Sequence, residues 1–525
     1  MPDKKMMPDR LIDERTPVLV GCGQRVQKGG ALEEAKSPLT LMSEAARLAA
    51  KDSGLGDRLR GEVDSVCVVR FIIDSPGVRE FPFGRYTNPP ATLARLTGTK
   101  PDRLFYGPTG GNSPQYLINA MADRIAEGEV NVALVGGGEC FFSFMKAMGK
   151  GITLDWGDDP GGDCINLGVE RDGVSTVERT HGLQFPVNAY PLFENGIRHH
   201  KKRKSEAHRF KLGELFAPFS EVAAHHPQAW FPVARSAEEI ATPGPDNRYV
   251  GFPYTKYMNA VMQVDQAACV VMMAYGVAQA LNIPKEKYVF LHGGAEANDI
   301  WHVTERVNYH SSPAIRTIGR KALDMAGWRI DDVDYFDIYS CFPSAVQIAR
   351  EALGIADDDL RSLTVTGGLP YFGGAGNSYV MHSVATMMDR LRAKPGSRGI
   401  CTANGWHLTK HAIGLYSTTP REGTWQREEA STYQAEIDNE PHPVAVDHPR
   451  GAARVETYTV VHNRNGPHIG LVIGRLEDGN GRFIAHTPSE PGMWSDMMTR
   501  DWFDLPGHVG AGEDGRNIFT PGGSA

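Results

Sequence analysis

Apolar and polar positions alternate along the chain with two different periods, and the elements they predict occur in repeated order. Residues 17–21 form a short apolar strand ending in a Gly-rich turn. The 3.6-residue spacing of Leu41, Ala45, Leu48 and Ala49 then predicts a helix over 38–50 that stops near Gly54. Residues 63–69 read as a buried strand. The same succession returns as a helix over 313–326, Gly327, Val333-Asp334 and a strand over 335–339.

A second repeat is closer still. Gly111-Asn112-Ser113 and Gly376-Asn377-Ser378 each open a helix, one ending in Asp123-Arg124-Ile125 and the other in Asp389-Arg390-Leu391. Apolar strands follow at 132–135 and 400–403. Two repeats in the same order predict two related α/β halves facing each other across a pseudo-twofold axis. Near-continuous apolar strands separated by helices predict largely parallel sheets covered on their faces.

Two stretches break the pattern. Residues 141–252, with Gly and Asp clusters and the basic run His199-His200-Lys201-Lys202-Arg203-Lys204, read as a loop domain inserted in the first half. After Pro420 the chain turns polar and Glu-rich. Alternating strands follow over 455–462, 469–476 and 482–485, with Asn465-Gly466 and Asp478-Gly479-Asn480-Gly481 as hairpin turns. These predict a small all-β, OB-like domain over 430–506 and a tail over 507–525.

Composition removes several alternatives. A net charge of −8 gives no general basis for binding nucleic acid, and no apolar run reaches membrane-spanning length. The seven cysteines are odd in number and unpaired in spacing, which points to a reducing compartment rather than to disulfides or a zinc site. Residues 1–14 lack the apolar core of a secretory leader, so a cytoplasmic location is expected.

The duplicated halves, the insertion and the two equivalent helix starts resemble the thiolase superfamily over about residues 16–419, near its sterol-carrier-type members. Val130 to Glu139, the stretch from Tyr254-Thr255-Lys256 to Asp265-Gln266-Ala267-Ala268, and Gly367-Gly368-Leu369 carry the resemblance. It implies αβαβα layers built on two mixed sheets. The halves would be 16–140 with 253–285, and 286–420, with the loop domain at 141–252. It also implies acyl transfer on CoA thioesters in lipid metabolism, with acyl-CoA as ligand and no other cofactor. Strands similar to those of OB-fold partner chains suggest a lipid-metabolism partner protein as a further expectation.

The resemblance fails where thiolase chemistry is concentrated. That chemistry needs a cysteine thiolate, a histidine that activates it, a second acid/base and oxyanion donors. The nucleophile's place at the first repeated helix is taken by Gly111-Asn112-Ser113, and no cysteine lies between Cys67 and Cys140. The Gly-His-Pro motif becomes Gly373-Gly374-Ala375. His-Asp-Cys-Phe becomes Tyr339-Ser340-Cys341-Phe342, and Cys-x-Gly becomes Ala403-Asn404-Gly405 with Cys401 two residues earlier.

Standard thiolase activity is therefore not expected. Cys341 is the remaining nucleophile or acid/base candidate, with buried structural cysteine as the other reading. His407 and His411, on one face of a turn if helical, are its candidate bases or else surface residues. His382 reads as packing. Gly111, Asn112, Ser113, Gly373 and Gly374 are candidate thioester contacts, although Asn112 and Ser113 before Pro114 also match a plain helix cap. Lys202, Arg203 and Lys204 are candidates for the CoA phosphates or else a solvated face. Pro108 beside the strand used for thiolase dimerisation favours a monomer. The alternative function is a non-catalytic acyl-CoA or lipid-binding protein, or a scaffold.

Overall fold

A computed structural model describes residues 12–76, 82–479 and 481–522. The first half contributes strands β1 (Pro17–Val26), β2 (Ser65–Val68), β3 (Arg103–Tyr106) and β4 (Val132–Cys140). The insertion holds β5 (Ile165–Asn166), β6 (Tyr249–Gly251) and β7 (Tyr254–Thr255). Strand β8 (Asp265–Ala274) returns to the first half, and β9 (Val289–Asn298), β10 (Tyr335–Asp337), β11 (Arg398–Gly405) and β12 (Lys410–Ser417) build the second.

These strands run in the order β10-β11-β12-β9-β1-β8-β4-β2-β3-β5. Reading outward from the centre, β1-β8-β4-β2 and β9-β12-β11-β10 have the same orientations: antiparallel, antiparallel, parallel. The two expected sheets are thus halves of one ten-stranded sheet, joined where Val18 pairs with Phe290 and Leu19 with Val289.

The duplication extends to atomic contacts. Helix α1 (Pro38–Asp52) is capped by Ser37, whose side chain accepts from the Thr40 N–H. Ser312 caps the equivalent helix, Pro313–Ala326, in the same way through Ile315. A Cβ on Gly21 would lie 2.2 Å from the Ala49 carbonyl, and one on Gly293 would lie 2.2 Å from the Ala322 carbonyl. Each half therefore needs a glycine where its helix crosses its central strand. Between them lie α2 (Ser113–Glu127) and the equivalent helix Tyr379–Ala393, both largely buried.

After β12, the two-residue strand β13 (Val444–Ala445) precedes β14 (Gly451–Asn463), β15 (Gly466–Leu476), β16 (Gly481–His486), β17 (Pro506–Ala511) and β18 (Asn517–Pro521). Pairings β14–β15, β15–β16, β16–β18, β18–β17 and β17–β14 close a ring, giving a small β-barrel-like domain. The segment expected to be a tail instead supplies two of its staves. Its strands are only six and five residues long, so they carry little alternation, yet closure of the ring requires them. Strand β6 pairs with β14 at Gly251–Val461, which ties the insertion to the barrel. Asn195 donates to the Tyr458 carbonyl at 2.8 Å, and Thr457 donates to the Leu192 carbonyl at 2.7 Å.

At the outer edge, β5 pairs with β3 through Phe105–Ile165 and Tyr106–Asn166, so β3 does not present a free ladder. Among the described residues, no helix is long and apolar enough to cross a membrane, and no group of three or more His, Cys, Asp or Glu is arranged for a metal ion.

Candidate functional site

The pseudo-twofold places each Gly-Asn-Ser turn against the opposite half. In the first turn, Gly110 has φ +124. A Cβ on Gly111 would lie 2.2 Å from the Tyr339 Oη and 2.6 Å from the Asn404 carbonyl. A Cβ on Gly405 would lie 2.4 Å from Asn112 Oδ1. In the second, Asn377 donates to the Arg70 carbonyl at 2.8 Å, and Gly376 packs against Glu139. Tyr339 bridges the two turns, its ring edge-on to Tyr379 at 5.8 Å. Gly373 and Gly374 lie apart from Gly111, over the start of β8. Gly374 donates to the Val261 carbonyl at 2.9 Å, and a Cβ on Gly373 would meet Gln266 Oε1 at 2.6 Å.

Asn112 does not cap its helix. Its backbone is helical (φ −73, ψ −19), and its side chain makes no capping bond. Thr109 Oγ1, Asn112 Oδ1, Ser113 Oγ and Asn404 Oδ1 are buried without a protein partner. Such atoms cost about 1–3 kcal/mol each unless a ligand or water satisfies them, so their gathering at one turn is a polar cluster without protein partners.

Cys341, 7% exposed, lies beside Asn404 of this cluster. The Asn404 amide donates toward its sulfur at 3.8 Å and to Tyr190 Oη at 2.9 Å. Tyr190 stacks on Phe342 at 4.3 Å. Burial pushes the Cys341 thiol up to about 12, despite the Tyr190 and Asn404 hydrogen bonds that favour the thiolate. The partners of the sulfur are an amide and a phenol; neither candidate histidine is among them.

The helical turn expected for His407 and His411 is absent, because Trp406 and Leu408 have φ of +54 and +55. These residues connect β11 to β12, with Arg306 donating to the carbonyls of His407 and Leu408. His407 is buried without a well-formed hydrogen bond. Burial, helped by Arg306, pulls its imidazole down to about 4. His411 lies on β12 with Nε2 3.2 Å from Asp299 Oδ2. Although burial opposes it, His411 and Arg306 hold Asp299 below the usual carboxylate range.

Beside this cluster opens a cleft of about 660 Å³ between the Pro108–Asn112 turn, the end of β9 and the helix Ala430–Asp438. Asn112 and His411 line it, as do Tyr116, Trp301 and Lys410. Lys410 was overlooked in the sequence; the available signal was a charged residue opening an otherwise apolar strand. Tyr190 carries no comparable signal, since it sits inside the insertion's helix Pro186–His200.

The basic run flanks a different cleft, of about 530 Å³, where Arg203 lies with Lys211, Arg350 and Arg361. Lys202 occupies a left-handed turn (φ 51), and Lys204 immediately precedes the helix Ser205–Ala224. Phe219, in the wall of this second cleft, packs on Gly368, which in turn touches Ser340 beside Cys341. His382 Nδ1 donates to Gln24 Oε1, 2.8 Å away, within the packed core.

Comparison with known proteins fixes the family. A crystal structure of a monomeric SCP2-thiolase-like protein type 1 from Mycobacterium smegmatis is 33% identical, with 98% of this chain and 100% of that chain covered at a TM-score of 0.83. The chain belongs to the SCP2-thiolase-like protein type 1 family. The profile of the thiolase-like protein type 1 additional C-terminal domain matches residues 432–513, spanning most of the barrel.

Two more distant structures share the fold. A structure described as an Ltp2-ChsH2(DUF35) aldolase is 17% identical, covering 77% of this chain and 98% of its own, with a TM-score of 0.58. The dimeric peroxisomal thiolase of Saccharomyces cerevisiae is 14% identical at the same coverages, with a TM-score of 0.54. No curated protein matches the chain. Helix α2 starts at Ser113 directly after the Gly111-Asn112 turn, and the sequence has no cysteine between Cys67 and Cys140.

Proposed function

We propose that this SCP2-thiolase-like protein binds an acyl-CoA or related thioester and holds its carbonyl at the Gly110–Asn112 turn without capture by a cysteine. The observation that carries the reading is a glycine turn that admits no side chain beside three buried oxygen atoms without protein partners: the Ser113 hydroxyl, which can donate to a carbonyl oxygen, and Asn112 Oδ1 and Asn404 Oδ1, which can accept from N–H groups of the ligand. The positive end of the α2 dipole adds a favourable field for a carbonyl oxygen, although Ser113 N–H already donates to the Gly110 carbonyl and Pro114 has none to give. In the Arg203 cleft, Lys211, Arg350 and Arg361 are paired with Glu214, Asp357 and Asp359, which leaves Arg203 as the group for a CoA phosphate. The Phe219–Gly368–Ser340 contacts join its wall to the neighbourhood of Cys341. With the thiol held neutral by burial and no histidine on its sulfur, any acyl transfer here is altered chemistry, with Tyr339 and Tyr190 as the groups nearest the thioester.

The same reading assigns lipid metabolism as the setting and the cytoplasm as the location. A monomer is favoured, supported by the covered β3 edge and the monomeric relative. The domain limits are 16–140 with 253–285, 141–252, 286–420, and a barrel extended beyond 430–506 to β18. A non-catalytic scaffold is the second reading. The shared β6–β14 pairing favours it by making insertion and barrel one platform for a partner protein.

Thermal melts with acetyl-CoA, a long-chain acyl-CoA and free CoA test the proposal. Bound ligand at 100 times its Kd should add about 2.7 kcal/mol of stability. The absence of a shift with every CoA species would leave only the scaffold reading.

A further inference from the structure

We infer that Lys410 is an imine-forming lysine, whose amine condenses with the ketone or aldehyde carbonyl of a ligand in the cleft between the Pro108–Asn112 turn and β9. The inference needs no CoA and stands apart from the thioester reading. Lys410 is 6% exposed and lines the cleft of about 660 Å³. Its Nζ donates to the Thr109 carbonyl at 2.6 Å. Among the described residues, no carboxylate lies within ion-pair distance of it.

The acids in the cleft wall are already engaged. Glu296 is bound by Arg427, Asp299 by His411 and Ser312, Glu305 by His302, and Asp438 by Gln434. Burial, with a push from Arg70 and against the pull of Glu170, takes the amine down to about 8. A substantial uncharged fraction is therefore present near neutral pH, as a nucleophilic lysine requires.

The cleft also supplies a partner for the carbonyl. Asn112 is 4% exposed, lines the same cleft and makes no hydrogen bond to protein through its side chain. Its amide N–H is available to orient a carbonyl oxygen beside Nζ, while Tyr116, Val169, Ile300 and Trp301 offer apolar wall for an alkyl portion. In the step itself, the Nζ lone pair attacks the carbonyl carbon and the π pair moves to oxygen. After proton transfer the carbinolamine loses water, so amine and carbonyl give imine and water with no change of oxidation state.

The full-length protein is treated with 2,4-pentanedione at pH 7.5, which condenses with an uncharged amine to an enaminone read by near-ultraviolet absorbance and intact mass. Peptide mapping should place one fast adduct on Lys410, formed on the order of 100-fold faster than on surface lysines. Its rate should rise with a midpoint near pH 8. The fast phase should vanish in Lys410→Met and slow in Asn112→Ala, each checked for folding by its melt. A Lys410 peptide in the wild-type protein that reacts no faster than the surface lysines overturns the inference. So does a fast phase that survives in Lys410→Met.

Discussion

Replacing Gly111 by alanine adds one methyl group where the two halves of the protein touch. That methyl would stand 2.2 Å from the Tyr339 Oη and 2.6 Å from the Asn404 carbonyl, both far inside contact distance. Tyr339 is a side chain and can swing aside. The Asn404 carbonyl cannot, because Asn404 is held in register with His411 in the β11–β12 ladder. The start of α2 must then shift by roughly an ångström, at the usual overpacking cost of about 1–3 kcal/mol. The same shift moves the turn and the Ser113 hydroxyl away from a bound carbonyl, so the variant should also lose the ligand-induced gain of about 2.7 kcal/mol expected at 100 times Kd. Gly61→Ala is the control, since a Cβ there meets nothing within 4 Å. Circular-dichroism melts with and without acyl-CoA read both effects. A Gly111→Ala protein that melts and responds to ligand like wild type would refute the claim that this turn is a closed thioester cradle.

Other expectations test separate parts of the account. Six of the seven cysteines are buried and Cys164 is half-buried, so a thiol reagent should label Cys164 first in the native protein. With its thiol near 12, Cys341 should be only about 0.01% thiolate at pH 8, and rapid labelling there would contradict its placement. The His407 imidazole sits at about 4 when folded against an ordinary 6.5, so the unfolded chain takes up the proton first as pH falls. Stability should then drop by roughly 3 kcal/mol between those two values. His407→Leu should flatten that slope in pH-dependent melts; an unchanged slope would count against it. Arg427 clamps the linker to Asp123 and Glu296. Arg427→Met should cost about 3 kcal/mol and expose residues 421–440 to limited proteolysis, whereas wild-type resistance would show that the clamp is idle.

How much of this was legible from residues alone depends on the kind of signal. The duplication was visible because Gly-Asn-Ser and the serine-proline helix starts are local patterns that survive in both halves. Asn112 was misleading for the opposite reason. Its sequence context matches a helix cap, but its backbone is already helical and its side chain packs against Gly405 of the other half, which only tertiary contacts record. His407 and His411 looked like one face of a turn, yet the left-handed residues Trp406 and Leu408 rule out a helix there. Strands β17 and β18 escaped because six and five residues give too little alternation to read. Lys410 was missed since nothing in a strand's sequence says which neighbour will bury its amine.

The central claim is that an SCP2-thiolase-like architecture keeps a polar cradle for a thioester but places no reactive thiol in it. Intact-mass analysis after incubation with acyl-CoA, at a concentration that stabilises the protein against heat, tests this most directly. The account predicts an unmodified cysteine complement in a protein that is nonetheless stabilised. An added acyl group that disappears in Cys341→Ala would contradict it.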